Sequence, residues 1–167
     1  LREVMESIVS IIQPQVKTKN QQFDIFIHDV EVENVYCDSV RLNQVLLNLL
    51  SNALKFTPDG GQIHVSLYEE ISPKGEDFVR VHFDVKDNGI GMSEEFQKRI
   101  FESFVREDNA RVKKIQGTGL GMTITKYIVD AMGGTIKVES QLEQGSTFYV
   151  TLVLEKALVE EREMILP

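Results

Sequence analysis

Asn48-Leu49-Leu50-Ser51-Asn52-Ala53-Leu54-Lys55-Phe56 is the stretch on which the fold of this chain turns. At about 100° per residue on a helix, Asn48, Asn52 and Lys55 fall in one stripe about 60° wide. Leu42, Val45, Leu46, Leu49, Leu50 and Ala53 take the opposite side, which makes this a helix with one buried flank. The polar stripe suits plain solvent exposure, and it suits a site equally well. A carboxamide oxygen is a hard, neutral ligand for Mg²⁺, whose other ligands come from phosphates and water. Lys55 offers such phosphates a point charge.

Three further motifs follow in order: Asp87-Asn88-Gly89-Ile90-Gly91-Met92, Phe101-Glu102-Ser103-Phe104 and Gly117-Thr118-Gly119-Leu120-Gly121. Asp87 comes at the end of an alternating run, Val79 to Val85, that predicts a half-buried strand. A carboxylate at that point can accept a hydrogen bond from an exocyclic amine such as adenine N6. Gly89 and Gly91 remove side chains beside it, so that backbone can approach a flat ring. Asp-Asn-Gly is also an ordinary turn sequence. Gly117, Gly119 and Gly121 open a helix, where exposed amides and the helix N-terminus form an anion site. Their spacing is not that of a dinucleotide fingerprint, and no P-loop GxxxxGK[ST] occurs. The polar stretch Ser103 to Gln116 has the composition of a lid. Phe101 and Phe104 either anchor its near end or, as two Phe at i, i+3 more often do, simply pack in the core. Arg106, Arg111, Lys113 and Lys114 gather positive charge there, in a loop that is either phosphate-facing or simply solvated.

In this order the four motifs closely resemble the N, G1, F and G2 boxes of sensor histidine kinases. The segment from about Asp38 to Leu154 looks like their catalytic and ATP-binding domain, within the wider gyrase, chaperone, kinase and MutL-type ATPase group. The resemblance implies an α+β fold, the Bergerat ATP-binding fold: a two-layer α/β sandwich with a mixed sheet of about five strands covered on one face by about three helices. It implies ATP and Mg²⁺ as ligands. Carried over by position, Asn52 is the Mg²⁺ ligand and Asn48 supports it. Lys55 and Arg106 contact phosphates, and Phe56 packs near the nucleoside. Asp87 reads the adenine, with Gly89, Gly91 and Met92 around the ring. Gly117, Thr118, Gly119, Leu120 and Gly121 give phosphate-facing backbone. Ser146 or Thr147 brings a hydroxyl near the adenine, and Thr147 is taken as the binding residue.

One departure bears on the reaction. ATP-hydrolysing relatives such as gyrase carry a glutamate one helical turn before the magnesium-binding asparagine, and that place is Asn48 here. An amide cannot act as a general base, so transfer to an external nucleophile is expected rather than hydrolysis. In the resembled kinases the acceptor histidine sits on a separate helical dimerisation domain, followed by an acidic residue. His28, His64 and His82 lie in or at the end of predicted strands, and none matches that site. The expected partners are therefore a phosphoacceptor and dimerisation domain of the same kinase and a response-regulator receiver domain. The piece itself is expected to be a monomer and its parent a homodimer. Two other readings stay open: a nucleotide-binding regulatory module without transfer, and a serine kinase of the anti-sigma type.

The bulk of the sequence is consistent with this. At 167 residues the chain suffices for one domain with a full core. A net charge of −8 speaks against nucleic acid as a partner. Cys37 stands alone, which excludes an internal disulfide, and its apolar neighbours make it a small core residue. No apolar run reaches the roughly 20 residues that cross a bilayer, and there is no signal-peptide pattern. The piece is expected in the cytoplasm without direct membrane contact, with anchoring of the parent left open. Starting at Leu1, it reads as a fragment: 1–20 a connecting helix from an absent domain, 21–155 the ATP-binding domain, 156–167 a linker stub. Pro14 is expected to end or kink the first helix, and Gly145-Ser146 to turn between the last two strands.

Overall fold

Among the residues that the computed structural model describes, 1–101 and 121–157, ten elements follow one another. They are Arg2–Thr18 (α1), Gln22–Ile27 (β1), Val35–Tyr36 (β2), Ser39–Phe56 (α2), Gln62–Ile71 (β3), Phe78–Asp87 (β4), Glu94–Arg99 (α3), Gly121–Ala131 (α4), Thr135–Gln141 (β5) and Gly145–Lys156 (β6). Side chains alternate between the two faces of a strand, and here that alternation builds two layers. Ile63, Val65 and Leu67 of β3, Val79, Val81, Phe83 and Val85 of β4, and Phe148, Val150, Leu152 and Leu154 of β6 are all buried on one face. Against them lie Met5, Ile8, Ile12 and Val16 of α1, the leucine side of α2, and Met122, Ile128 and Val129 of α4. The opposite face carries His64, Ser66 and Tyr68 of β3 and Arg80, His82 and Asp84 of β4, all half-buried.

The strand order is β1-β3-β4-β6, with β5 and β2 both paired to β6. β4 occupies one edge of β6 along its length, so β5 and β2 share the other. Only the β1–β3 pair is parallel, which makes the sheet mixed. It has six strands rather than about five, and four helices are described rather than about three. The shortest strand, β2, is only two residues long and falls in the apolar run Val35-Tyr36-Cys37, which already reads as a short strand in the sequence. Cys37, just after it, is half-buried, and burial raises its thiol pKa.

Two local expectations change. Pro14 does not end α1, which runs on to Thr18. A proline inside a helix costs about 3 kcal/mol. Burying Ile12 and Val16 on either side of it returns about 1.5–3 kcal/mol each. The β5–β6 turn is Leu142 to Gln144, closed by Gln144 N–H donating to Gln141 O at 3.0 Å, with Glu143 at φ 65°. Gly145 and Ser146 already belong to β6. At the far end, Ala157 N–H still donates to Asn34 O at 2.9 Å, so the chain stays tied to the sheet past residue 155. No described helix is long and apolar enough to cross a membrane.

The ends of α2 are closed by named groups, as exposed helix termini require. The Asp38 carboxylate accepts from Arg41 N–H at 3.3 Å at the start. At the other end, Lys19 Nζ and Gln21 Nε2 both donate to Leu54 O and Thr57 O. A charged donor on part-buried carbonyls contributes about 1.5–3 kcal/mol. Lys19→Met is therefore expected to lower stability by about 2 kcal/mol. A urea titration would show this as a lower midpoint at unchanged slope.

Candidate functional site

The polar stripe of α2 faces the start of α4. Asn48 Nδ2 donates to Thr125 Oγ1 at 3.2 Å across 77 positions of sequence, and Thr125 is 0% exposed. Asn52, one turn on, is half-buried, and its carboxamide has no hydrogen-bond partner among the described residues. Lys55 is exposed on the same stripe. Phe56 ends the helix half-buried, and its carbonyl accepts Ile90 N–H at 3.1 Å.

That last bond joins α2 to the segment after β4. Asp87 closes the strand with 7% of its surface exposed. Its Oδ1 accepts Gly89 N–H at 2.9 Å. Burial pushes its carboxyl up to about 6, against the pull of the backbone N–H bonds from Gly89 and Ser146. It shares the helix-covered face of β4 with Val85 and Phe83. Gly89 and Gly91 have a reason here that needs no ligand. A Cβ on Gly89 would come within 2.2 Å of Phe56 O, and one on Gly91 within 2.0 Å of Gln141 O. The segment is thus wedged between α2 and the β5–β6 turn. Met92 N–H donates to Ser140 Oγ at 2.8 Å, and Gln97 Nε2 bridges Met92 O (3.1 Å) and Ser140 O (2.7 Å).

The hydroxyl beside Asp87 is that of Ser146. Asp87 and Ser146 are register partners, and both are buried. Ser146 Oγ in turn meets Ser140 Oγ at 2.7 Å. Thr147, taken as the binding residue from sequence, pairs with Lys86 and is half-buried on the opposite face. The correction follows from strand alternation: one residue of register moves a side chain through the sheet.

Arg106, Gly117, Thr118, Gly119 and Leu120 lie outside the described residues, with Phe104, Arg111, Lys113 and Lys114. Gly121 is the first residue of α4, with nothing within 4 Å of an added Cβ. Phe101 packs partly buried on the core, and its carbonyl accepts Thr123 Oγ1 at 3.0 Å. The structure therefore brings together Asn48, Asn52, Lys55 and Phe56 on α2, and ties them to Asp87–Met92 on one side and Gly121 on the other. Thr125, Ser146 and Gln97 were not singled out as site residues by sequence, apart from Ser146 as the alternative to Thr147. A threonine four residues into a helix carries no signal of a partner on another helix.

The donor set fits a nucleotide with a divalent cation. Asn52 offers a neutral oxygen without a partner among the described residues, the ligand type that suits Mg²⁺. No group of three His, Cys, Asp or Glu side chains among the described residues could hold a metal alone. A cation here would share its shell with phosphates, as Mg²⁺ does. Asp87 supplies a buried acceptor for an amine.

Comparison with known proteins agrees with this geometry. The family of histidine kinase-, DNA gyrase B- and HSP90-like ATPases matches residues 37–156. The chain belongs to this family. It is an ATP-binding module of the histidine kinase, gyrase and HSP90 type, and its individual likenesses run to sensor kinases. RpfC, a sensory/regulatory protein of Xanthomonas campestris pv. campestris, is 40% identical over 153 residues, covering 91% of this chain and 21% of that protein. LuxQ, the autoinducer 2 sensor kinase/phosphatase of Vibrio vulnificus, is 37% identical over 162 residues, covering 96% and 19%. The chain thus spans about a fifth of the curated relatives it matches. Among solved structures, full-length ShkA in complex with AMPPNP matches with a TM-score of 0.77 at 29% identity, covering 93% of this chain and 30% of that one. The catalytic domain of histidine kinase ThkA matches at 0.75 and 25% identity, covering 92% and 93%.

Proposed function

We propose that this chain is the catalytic part of a sensor histidine kinase, which binds ATP with Mg²⁺ and passes the γ-phosphoryl group to a histidine on another domain. The observation that carries the choice of transfer over hydrolysis is Asn48. It stands one turn before Asn52 and is hydrogen-bonded into the fold as an amide. An amide takes no proton from water. Asp87, as a carboxylate, accepts the adenine amino group. Asn52 offers its oxygen to the cation, and Lys55 neutralises phosphate charge. Arg106 and the Gly117–Gly121 backbone act on the phosphates in the same reading. Mg²⁺, when bound, supplies charge neutralisation at the transferring phosphoryl group. The protein's own part is positioning and fixed charge.

The acceptor lies elsewhere in the parent. His28, His64 and His82 gather on the sheet face opposite Asp87, engaged with Asp29 (2.8 Å), Asp24 (3.3 Å) and Glu70 (2.6 Å). Tyr68 stacks between His28 and His82, with centroids 5.1 and 4.7 Å apart. The proposed partners are therefore a phosphoacceptor and dimerisation domain of a homodimeric parent, reached through α1, and a response-regulator receiver. This part of the protein works in the cytoplasm, whether or not its parent is membrane-anchored.

Calorimetric titration of ATP, with and without Mg²⁺, tests the pocket. Asn52→Ala is expected to remove most of the magnesium-dependent gain, about tenfold in affinity, while leaving magnesium-free binding near wild type. Adding a separately produced histidine-bearing helical domain should then yield an acid-labile phosphoprotein. Phosphate released to water as fast as ATP is consumed, with no acceptor present, would overturn the transfer reading.

A further inference from the structure

We propose that Thr125 is a positioning residue: its buried hydroxyl decides which end of the Asn48 carboxamide faces the nucleotide site. The proposal rests on the Mg²⁺–ATP reading for its functional consequence, though its structural half stands without a ligand. Thr125 Oγ1 lies 2.8 Å from Gly121 O. A carbonyl oxygen only accepts, so at that distance the single hydroxyl proton must point to it. Towards Asn48 the same oxygen then presents lone pairs alone. The atom it meets there, at 3.2 Å, is accordingly the Asn48 nitrogen, donating. A flipped amide would set oxygen against oxygen with no proton between, in a place where Thr125 is 0% exposed.

The relay Asn48 Nδ2 to Thr125 Oγ1 to Gly121 O therefore turns Asn48 Oδ1 away from α4. That leaves the hard oxygen, not the NH₂, for the side of the stripe that carries Asn52. Back-bonding of a threonine to the carbonyl four residues before it is common in helices, and this alone explains the Gly121 contact. It does not explain a second, inter-helical bond to a stripe amide. Because Gly121 ends the glycine motif and begins α4, the relay also couples the first turn of that helix to α2.

The test uses Thr125→Val, which keeps the shape and removes the hydroxyl, and Thr125→Ser, which keeps the hydroxyl. In the ligand-free wild type, the Asn48 side-chain NH₂ is expected to show one proton protected from exchange by NMR. Protection should vanish in the valine variant and return in the serine variant. In calorimetry, Thr125→Val should cut the magnesium-dependent gain in ATP affinity by about three- to tenfold. Magnesium-free affinity should change less than about twofold, and serine should restore the gain. A wild-type Asn48 amide with no protected proton overturns the proposal, even if the valine variant fails to fold. So does a folded valine variant with an unchanged magnesium gain. Wild-type protein that shows the protected proton but binds no ATP would instead sink the nucleotide reading and the functional half of this one.

Discussion

Asp87→Asn is expected to give a protein that is more stable than wild type at neutral pH, yet binds ATP on the order of 100-fold more weakly. Both effects come from one buried charge. In the folded protein the carboxyl is raised to about 6 from a usual 3.8, chiefly by burial. A raised acid favours the neutral form in the folded state, so its contribution is largest at low pH. That contribution is lost as pH climbs from about 4 to about 6, by on the order of 3 kcal/mol, and wild type carries the loss at neutral pH. Asparagine has the same shape and still accepts from Gly89 N–H, but carries no charge to desolvate. The same charge makes the stronger acceptor for an amine: hydrogen bonds to ionised groups contribute about 1.5–3 kcal/mol, roughly 10- to 150-fold in affinity.

A pH series separates the two. The ratio of wild-type to Asn-variant affinity should fall about tenfold between pH 7 and pH 5, as Asp87 takes up its proton. The ratio matters because it cancels the titration of ATP itself. Glu69 and Asp84 are also raised by burial, so they slope stability the same way in both proteins. The difference between the two melting curves isolates Asp87. An Asn variant that is less stable and binds ATP as wild type does would make Asp87 a structural carboxylate, and the adenine assignment would fall.

The second large effect is steric. Gly91→Ala and Gly145→Ala are each expected to cost about 3–5 kcal/mol, from positive-φ strain plus overpacking. Gly91 sits at φ 70° with an added Cβ 2.0 Å from Gln141 O, and Gly145 at φ 111° with one 2.0 Å from Asp87 O. Both obstacles are backbone, which cannot rotate aside as a side chain can. Gly60→Ala is the control: φ is 82°, but nothing lies within 4 Å of the new Cβ. It should cost only about 1 kcal/mol. Chemical denaturation of the three variants decides the matter. Equal, small losses would mean that the Asp87–Met92 segment is not wedged between α2 and the β5–β6 turn. Gly145→Ala should also weaken ATP binding, because its clash displaces the Asp87 backbone directly.

Much of this was legible in the chain, because periodicity records burial. The leucine side of α2 and the alternation of β3, β4 and β6 carry their burial in their spacing, since each such element has one face in the core. Asp87 was legible as the residue that ends the strongest strand, and Asn52 as a polar residue opposite the leucines. Other features left no local trace. Pro14 breaks a helix taken alone, and only packing against the core carries α1 through it. The choice of Thr147 over Ser146 failed by one residue, because a strand's register is set by its partner, here Asp87 opposite Ser146.

What the sequence by itself determined is the family, the order of the four motifs and the residue types they carry: two amides, a lysine and a carboxylate, with the amide of Asn48 at the place where hydrolytic relatives carry a glutamate. Only the tertiary structure decided how those groups are held. It buried Asp87 and so raised its pKa, and it gave Gly89 and Gly91 backbone neighbours that exclude any side chain. It also joined Asn48 to Thr125 across 77 residues. These are consequences of long-range contact, where distance in the chain carries no information about distance in space, and where the cost of an unpaired or misplaced atom exists only after the layers have closed.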